Sequence, residues 1–393
     1  MTKKTTLLLA AVVVAALAVT AGIASLVVGP FGDRADQARP TGTDTGETTD
    51  PGIDPSASAG RTATEIGEDF LADWVDDDGR VVRRDQGDDT VSEGQAYGML
   101  VAAAVGDERS FDSIWQWTED NLVRPDGLLA WQWDDGAVVD DGPASDADVD
   151  AARALVVAGD AFDRPEWTAQ GVELGSVVLD TMTAPVPDGL VLLPGLWAQG
   201  PGPWSYNPSY ASPASFEQLG EASGDPRWDE LAAGSRAVTT AVLDSTALPS
   251  DWAQVQVDGS VVPLPSADGS SGTVQYSYDA GRLALRYAES CQPADVALAA
   301  RLAPVLSRYG ELPMQLDLGG QAVGKDQSPL AYVARAAAHA SAGDPTAAEA
   351  DLRTADQLST STPTYYGSAW AALGALQLET TGLGACSPME VES

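Results

Sequence analysis

The sequence predicts an all-α protein: twelve helices paired as six helical hairpins and closed into an (α/α)6 barrel. Three observations carry this expectation. Between about Ile66 and Leu383, apolar residues recur at helical spacing while strand-like alternation is scarce. The periodic stretches are separated by Gly, Pro, Asp and Ser punctuation. Several even-numbered stretches are rich in alanine, as a crowded inner ring requires. The predicted helices are 65–75, 92–105, 109–121, 146–162, 166–182, 213–223, 227–243, 277–290, 293–308, 328–342, 345–359 and 364–380.

The N-terminus stands apart from this pattern. Lys3 and Lys4 precede an apolar run from Leu7 to Val28, slightly longer than the ~20 residues a membrane span needs. A secretory signal has an apolar stretch of only ~7–15 residues and a small-x-small cleavage site. Ala21-Gly22-Ile23 and Ile23-Ala24-Ser25 are poor versions of that site. Residues 1–31 therefore read as a signal anchor or a signal peptide. The length favours an anchor lying in the membrane, with the lysines inside. On either reading the remainder is extracytoplasmic, membrane-anchored or secreted. Residues 32–60, built of Thr, Asp, Gly, Pro and Ser, read as a flexible linker. One domain spans 61–385, and 386–393 form a short tail.

With 58 acidic and 21 basic residues the formal net charge is −37. Phosphate-backbone binding needs clustered Lys and Arg, so a nucleic-acid partner is excluded. A neutral or cationic ligand suits this field, and a solubilising surface explains it equally. A single His, two Cys and no CxxC pair give no Cys/His metal site and imply no cofactor. Cys291 and Cys386 both follow the C-termini of even-numbered helices, and in an oxidising compartment they can form one disulfide. Nothing points beyond a monomer.

Three acid-bearing segments open predicted helices two, four and eight. They are Ser92-Glu93-Gly94-Gln95-Ala96-Tyr97-Gly98-Met99, Ala144-Ser145-Asp146-Ala147-Asp148 and Tyr276-Ser277-Tyr278-Asp279-Ala280-Gly281-Arg282. If inner and outer helices alternate, all three share one rim. The aromatic stretches before helices six (Trp204 to Tyr210) and twelve (Tyr365-Tyr366) obey the same parity. Gly94 and Gly98 read as places where a bulky ligand approaches the backbone. Each acid also has a structural explanation. Thr90-x-x-Glu93 fits a capping box, and Asp146, Asp148 and Asp279 fit first-turn acids that complement a helix dipole. Two positioned carboxyl groups are, however, what hydrolysis of a glycosidic bond requires. Trp131, in an Asp- and Gly-rich connection, reads as a stacking platform for a sugar ring.

These motifs resemble glycoside hydrolase family 8, and within it the periplasmic endoglucanases that accompany bacterial cellulose synthase. The resemblance runs from about Glu65 to Trp370. It includes Ser92-Glu93-Gly94-Gln95, Ala130-Trp131, the Asp146 segment, Leu192-Leu193-Pro194-Gly195, Asn207-Pro208-Ser209-Tyr210, Ser277-Tyr278-Asp279-Ala280 with Arg282, and Tyr365-Tyr366. It implies an (α/α)6 barrel and endo-acting, inverting hydrolysis of internal β-1,4 linkages in a cellulose-like glucan. Carried over by motif, Glu93 is the proton donor and Asp279 the base that activates water. Asp146 holds the sugar or water near the cleavage point. Trp131, Trp204, Tyr210, Tyr278 and Arg282 line the sugar subsites. The helix dipole and Arg282 are expected to keep Asp279 ionised, whereas Glu93 needs burial or the Asp146 charge to hold its proton. Inversion needs about 6.5–9.5 Å between acid and base. Chitosan, xylan or mixed-linkage glucan as substrate, and a non-catalytic glycan-binding component of a cellulose-secretion apparatus, remain the alternatives.

Overall fold

A computed structural model describes residues 60–384 together with Cys386 and Met389. The apolar run 7–28 and nearly all of the linker lie outside the described residues. Among the described residues no helix is long and apolar enough to cross a membrane.

Among the described residues thirteen α-helices follow one another: α1 Ala63–Trp74, α2 Ser92–Val105, α3 Glu108–Asn121, α4 Ser145–Ala161, α5 Pro165–Thr181, α6 Pro213–Ser223, α7 Arg227–Ser245, α8 Leu283–Ala288, α9 Pro293–Ala300, α10 Ala303–Leu306, α11 Pro329–Ser341, α12 Pro345–Ser361 and α13 Tyr365–Glu379. The predicted helix 293–308 is two pieces, α9 and α10. Pro304, in the first turn of α10, has no backbone N–H to give the Ala300 carbonyl, and α9 ends at Ala300. The predicted helix 277–290 starts later, as a 3-10 turn at Ala280–Arg282 that runs into α8.

Helices α2, α4, α6, α8, α11 and α13 pack in that order, and α13 returns to α2. This closed inner ring is the (α/α)6 barrel. Its members are buried almost all round; the described part of α2 from Gly94 to Ala103 is wholly buried. Alanine makes the crowding possible, with Ala96, Ala102, Ala147, Ala151, Ala334 and Ala372 all inaccessible. Gly94 and Gly98 serve the same packing rather than a ligand. A Cβ at Gly98 would lie 2.8 Å from the Val81 side chain, and one at Gly94 would lie 3.0 Å from the Tyr365 hydroxyl. The outer helices turn one apolar face inward; α3, for instance, buries Phe111, Ile114, Trp115, Trp117 and Thr118.

Eight short strands, absent from the sequence prediction, decorate the connections. β1 Thr90–Val91, β2 Gln132–Asp134 and β3 Ala137–Asp140 form one antiparallel sheet. β4 Thr183–Val186 pairs with β5 Gly189–Leu192. β6 Trp204–Tyr206, β7 Trp252–Val255 and β8 Val261–Leu264 form a third antiparallel sheet. Runs of two to four residues are too short to show a period of two. Cys291 and Cys386 are disulfide-bonded, with Cα atoms 5.0 Å apart.

Candidate active site

The capping box expected of Thr90 and Glu93 does not form, whereas Glu93, Asp146 and Asp148 do stand in the first turns of α2 and α4, as the dipole reading expects. The N-cap of α2 is Val91, without a side-chain cap, and the Thr90 hydroxyl donates instead to the Val81 carbonyl at 2.8 Å. The N-cap of α4 is Ala144, again without a side-chain cap. Asp279 stands at the N-cap of the 3-10 turn, and its own carboxylate makes no capping bond. Thr62 and Glu65 of α1 show what a true capping box looks like here, with reciprocal bonds of 2.8 and 3.2 Å. None of the helix starts that carry Glu93, Asp146 and Asp279 has a side-chain capping bond.

Arg282 gathers two of them. Its Nη1 donates to Asp146 Oδ2 at 2.8 Å and its Nη2 to Asp279 Oδ1 at 2.7 Å. The same guanidinium reaches the Tyr97 hydroxyl at 3.4 Å and Ser209 Oγ at 3.1 Å, and lies over the Tyr210 ring at 5.2 Å. Asp146 is 2% exposed, yet its second oxygen, Oδ1, has no partner among the described residues. A buried acceptor left open is costly unless something arrives to fill it.

Glu93 is reached from the opposite side. The β1–β2 pairing aligns Thr90 with Trp133 and Val91 with Gln132. The Ser92 N–H donates to the Trp131 carbonyl, and the Trp131 indole N–H lies 3.3 Å from Glu93 Oε1. Asp148, fully buried, fixes this connection by accepting the Leu129 N–H at 2.8 Å. Burial, then the Asp146 charge, raises Glu93 to about 7. The Glu93 expectation holds in both of its causes. Asp279 departs from expectation. Burial raises it to about 6 against the pull of Arg282, with Asp251 adding a like charge; a helix dipole and one Arg do not outweigh removal from water. About a third of its side chain remains open.

Of the residues named from sequence, the structure brings together Glu93, Asp146, Asp279, Arg282, Trp131 and Tyr210. Tyr278 is 40% exposed beside the Tyr366 ring, whose hydroxyl donates to the Tyr278 carbonyl. Trp204 is not with them. It is 6% exposed in a satellite apolar cluster with Tyr206, Val238 and Val255, and its indole N–H is taken by the Gly200 carbonyl. The ring faces that sequence reasoning overlooked are Trp252 and Trp197, which continue from Tyr210 at centroid spacings of 6.1 and 6.4 Å. Asp251 was overlooked with Trp252. Both sit in the connection leading into α8, the very place where the parity argument puts rim residues.

The comparisons with known proteins decide the family. The sequence profile of glycosyl hydrolases family 8 matches residues 54–380. The chain belongs to glycosyl hydrolases family 8. A probable endoglucanase of Novacetimonas hansenii is 34% identical over 224 residues, covering 56% of this chain and 64% of that protein. An endoglucanase of Escherichia coli K12 is 36% identical over 157 residues, 37% of this chain and 43% of the relative. The chain thus aligns with less than two thirds of the length of these curated relatives. The solved structure of endo-beta-1,4-glucanase CMCax from Acetobacter xylinum superposes with a TM-score of 0.67 at 28% identity, covering 80% of this chain and 97% of that one. An endoglucanase from Komagataeibacter sucrofermentans gives 0.68 at 26% identity, covering 81% and 98%. Family 8 membership agrees with the barrel and with the motif order read from the sequence.

Proposed function

We propose that this family 8 chain is an endo-acting hydrolase of internal β-1,4 linkages in a cellulose-like glucan, working by inversion. The observation that carries the reading is the trio of carboxylates at helix starts without side-chain capping bonds, one of which, Glu93, holds a proton to about 7. Glu93 is the general acid that protonates the leaving glycosidic oxygen. Asp279, ionised above about 6 and steadied by Arg282, takes the proton of the attacking water. The open oxygen of Asp146 accepts a sugar hydroxyl or that water. Trp131, Tyr210 and Trp252 offer ring faces to the apolar faces of the sugars. A reducing-sugar assay on carboxymethylcellulose, chitosan, xylan and lichenan tests the substrate. The expected order puts carboxymethylcellulose and lichenan first, and proton NMR shows the α-anomer as first product. A β-anomer seen first, or no release from any glucan, defeats the reading. The charge of −37 favours one competitor, cationic chitosan, and faster release from chitosan would establish it.

We also propose that residues 7–28 anchor the enzyme, that 32–60 tether the 61–385 domain outside the membrane, and that one copy suffices. N-terminal sequencing and fractionation of the native host test the anchor; a mature start near residues 25–35 with activity in the culture fluid would replace it with a cleaved signal.

A further inference from the structure

The 3-10 turn that opens α8 has no cap of its own, yet its first donors are satisfied. The carboxylate of Asp251, from a segment 28 residues earlier, does it. Asp251 Oδ1 accepts the backbone N–H of Ser277 at 2.8 Å and of Ala280 at 3.0 Å, and Oδ2 accepts the Ser277 hydroxyl at 2.6 Å. Ser277 and Ala280 flank Tyr278 and Asp279, so these bonds straddle the segment that presents the base. The backbone of Asp251 is itself fixed, its N–H donating to the Gln275 carbonyl at 2.9 Å. All three partners of the side chain are donors, and Ser277 Oγ in turn accepts from Gln275 Nε2 at 3.3 Å. Burial pushes the Asp251 carboxyl above the usual carboxylate range, and the three donors pull against it in favour of the ionised form, since a carboxylic acid would need an acceptor for its proton.

We propose that Asp251 is a positioning residue of this site: its carboxylate clamps the turn that carries Asp279 and holds a like charge against it. The inference rests on reading Asp279 as the base. The clamp fixes where the activating oxygen stands, and misplacement by about 1 Å can cost ~10²-fold in rate. The charge keeps Asp279 basic enough to take a proton from water, opposing Arg282, which alone would leave a weak base. The groups facing Asp279 come from each packed element: Arg282 from its own turn, Asp146 from α4, Tyr210 before α6, Tyr366 from α13, and Asn207, Asp251 and Trp252 from the flanking connections. Among these, Asp251 is the one whose carboxylate accepts the backbone N–H groups of Ser277 and Ala280 on either side of Asp279.

The experiment compares Asp251→Asn, Asp251→Ala, Ser277→Ala and Asp279→Asn in the whole chain, with circular dichroism as a check on folding and full pH profiles of kcat and kcat/KM. Asp251→Asn keeps an oxygen for the two backbone donors and removes the charge. Its acid limb in kcat/KM is expected to move down by about 1 pH unit, a change that a merely structural role does not produce. Asp251→Ala also releases the turn, and kcat is expected to fall ~10²-fold with KM changed far less. Ser277→Ala retains the charge and loses one bond, giving a several-fold loss of kcat with the limb in place. An unmoved limb in Asp251→Asn, or wild-type kcat in Asp251→Ala or Ser277→Ala, overturns the proposal. The Asp279→Asn arm separates this from failure of the underlying reading. Retained turnover there removes Asp279 as the base, whereas an inactive Asp279→Asn beside an unmoved Asp251→Asn limb defeats the Asp251 inference alone.

Discussion

Helix α4 and the segment from Arg282 to Glu289 around α8, which stand on either side of α6 in the ring, are joined by three ion pairs. All three have the same sequence offset of 136: Asp146 with Arg282, Asp150 with Arg286, and Arg153 with Glu289. The lower two are matched charge for charge, although Arg286 Nε has no partner among the described residues. Arg286 and Asp150 meet through two nitrogens and two oxygens, and Arg153 holds Glu289 bidentately at 2.9 and 2.9 Å, with Gln218 at 2.8 Å on its Nε. The top pair is not. Arg282 is shared between Asp146 and Asp279, and one oxygen of Asp146 has no partner. One repeated interaction thus serves two ends. Where each charge is matched it fixes the barrel, and where charges outnumber partners it leaves proton affinities raised and an acceptor open for chemistry.

The largest effect should come from the top tier. Glu93→Gln removes the proton donor and is expected to lower kcat by ~10²–10⁴-fold with the fold intact. Its stability should report the opposite sign from a structural residue. The carboxyl of Glu93 is raised from 4.5 to about 7 in the folded protein, so the folded state binds the proton more tightly than the unfolded one. Wild-type stability therefore falls as pH rises through that window. Glu93→Gln abolishes this loss and should melt higher than wild type at pH 8, while the two differ little near pH 4. Near-normal turnover in a well-folded Glu93→Gln chain would falsify the acid assignment.

The bottom tier should break in the other direction. Glu289→Ala leaves Arg153 buried with Gln218 and the Leu383 carbonyl as its remaining partners. Breaking one side of a buried pair costs ~3–5 kcal/mol, read by chemical denaturation, with kcat per folded molecule little changed. The disulfide closes beside this tier, since the Cys386 N–H donates to the Glu289 carbonyl. A kcat loss comparable to that of Glu93→Gln, at unchanged stability, would erase the distinction between the tiers.

The division between legible and illegible parts of this chain follows period and distance. Helices whose apolar positions repeat over three or more turns were readable to within a few residues, and their alternation placed Glu93, Asp146 and Asp279 on one rim. Tyr97, four residues beyond Glu93, was readable in principle as lying on the same helix face. The assignment of Trp204 to the cleft failed because a tryptophan in a polar-aromatic loop looks alike whether its ring stacks on a ligand or fills a satellite core. Asp251 was invisible for a different reason. Its partners, Ser277 and Ala280, are 26 and 29 residues away, beyond the β7–β8 hairpin and an irregular connection that no sequence period spans. The rise of Asp279 to about 6 was not legible because a local motif shows the helix dipole and Arg282 and does not show the desolvation that outweighs them.

The smallest effect, and the sharpest test of how the top tier is built, is the shape of the pH profile. Activity needs Glu93 protonated and Asp279 ionised at once. Raising pH through about 7 removes the Glu93 proton and gives the alkaline limb; lowering pH through about 6 protonates Asp279 and gives the acid limb. The kcat/KM profile of the free enzyme is therefore expected to be a narrow bell with its maximum between about 6 and about 7. Because the two carboxyl groups share Asp146 and Arg282 as neighbours, the limbs belong to the coupled set. Each should consequently move when a shared neighbour is changed. Asp146→Asn withdraws the negative charge that helps hold the Glu93 proton, so the alkaline limb should shift to lower pH and the maximum should shrink. A broad plateau from pH 4 to 9, or an alkaline limb indifferent to Asp146→Asn, would mean that the rim carboxylates titrate independently and that the contrast with the charge-matched tiers below is one of geometry alone.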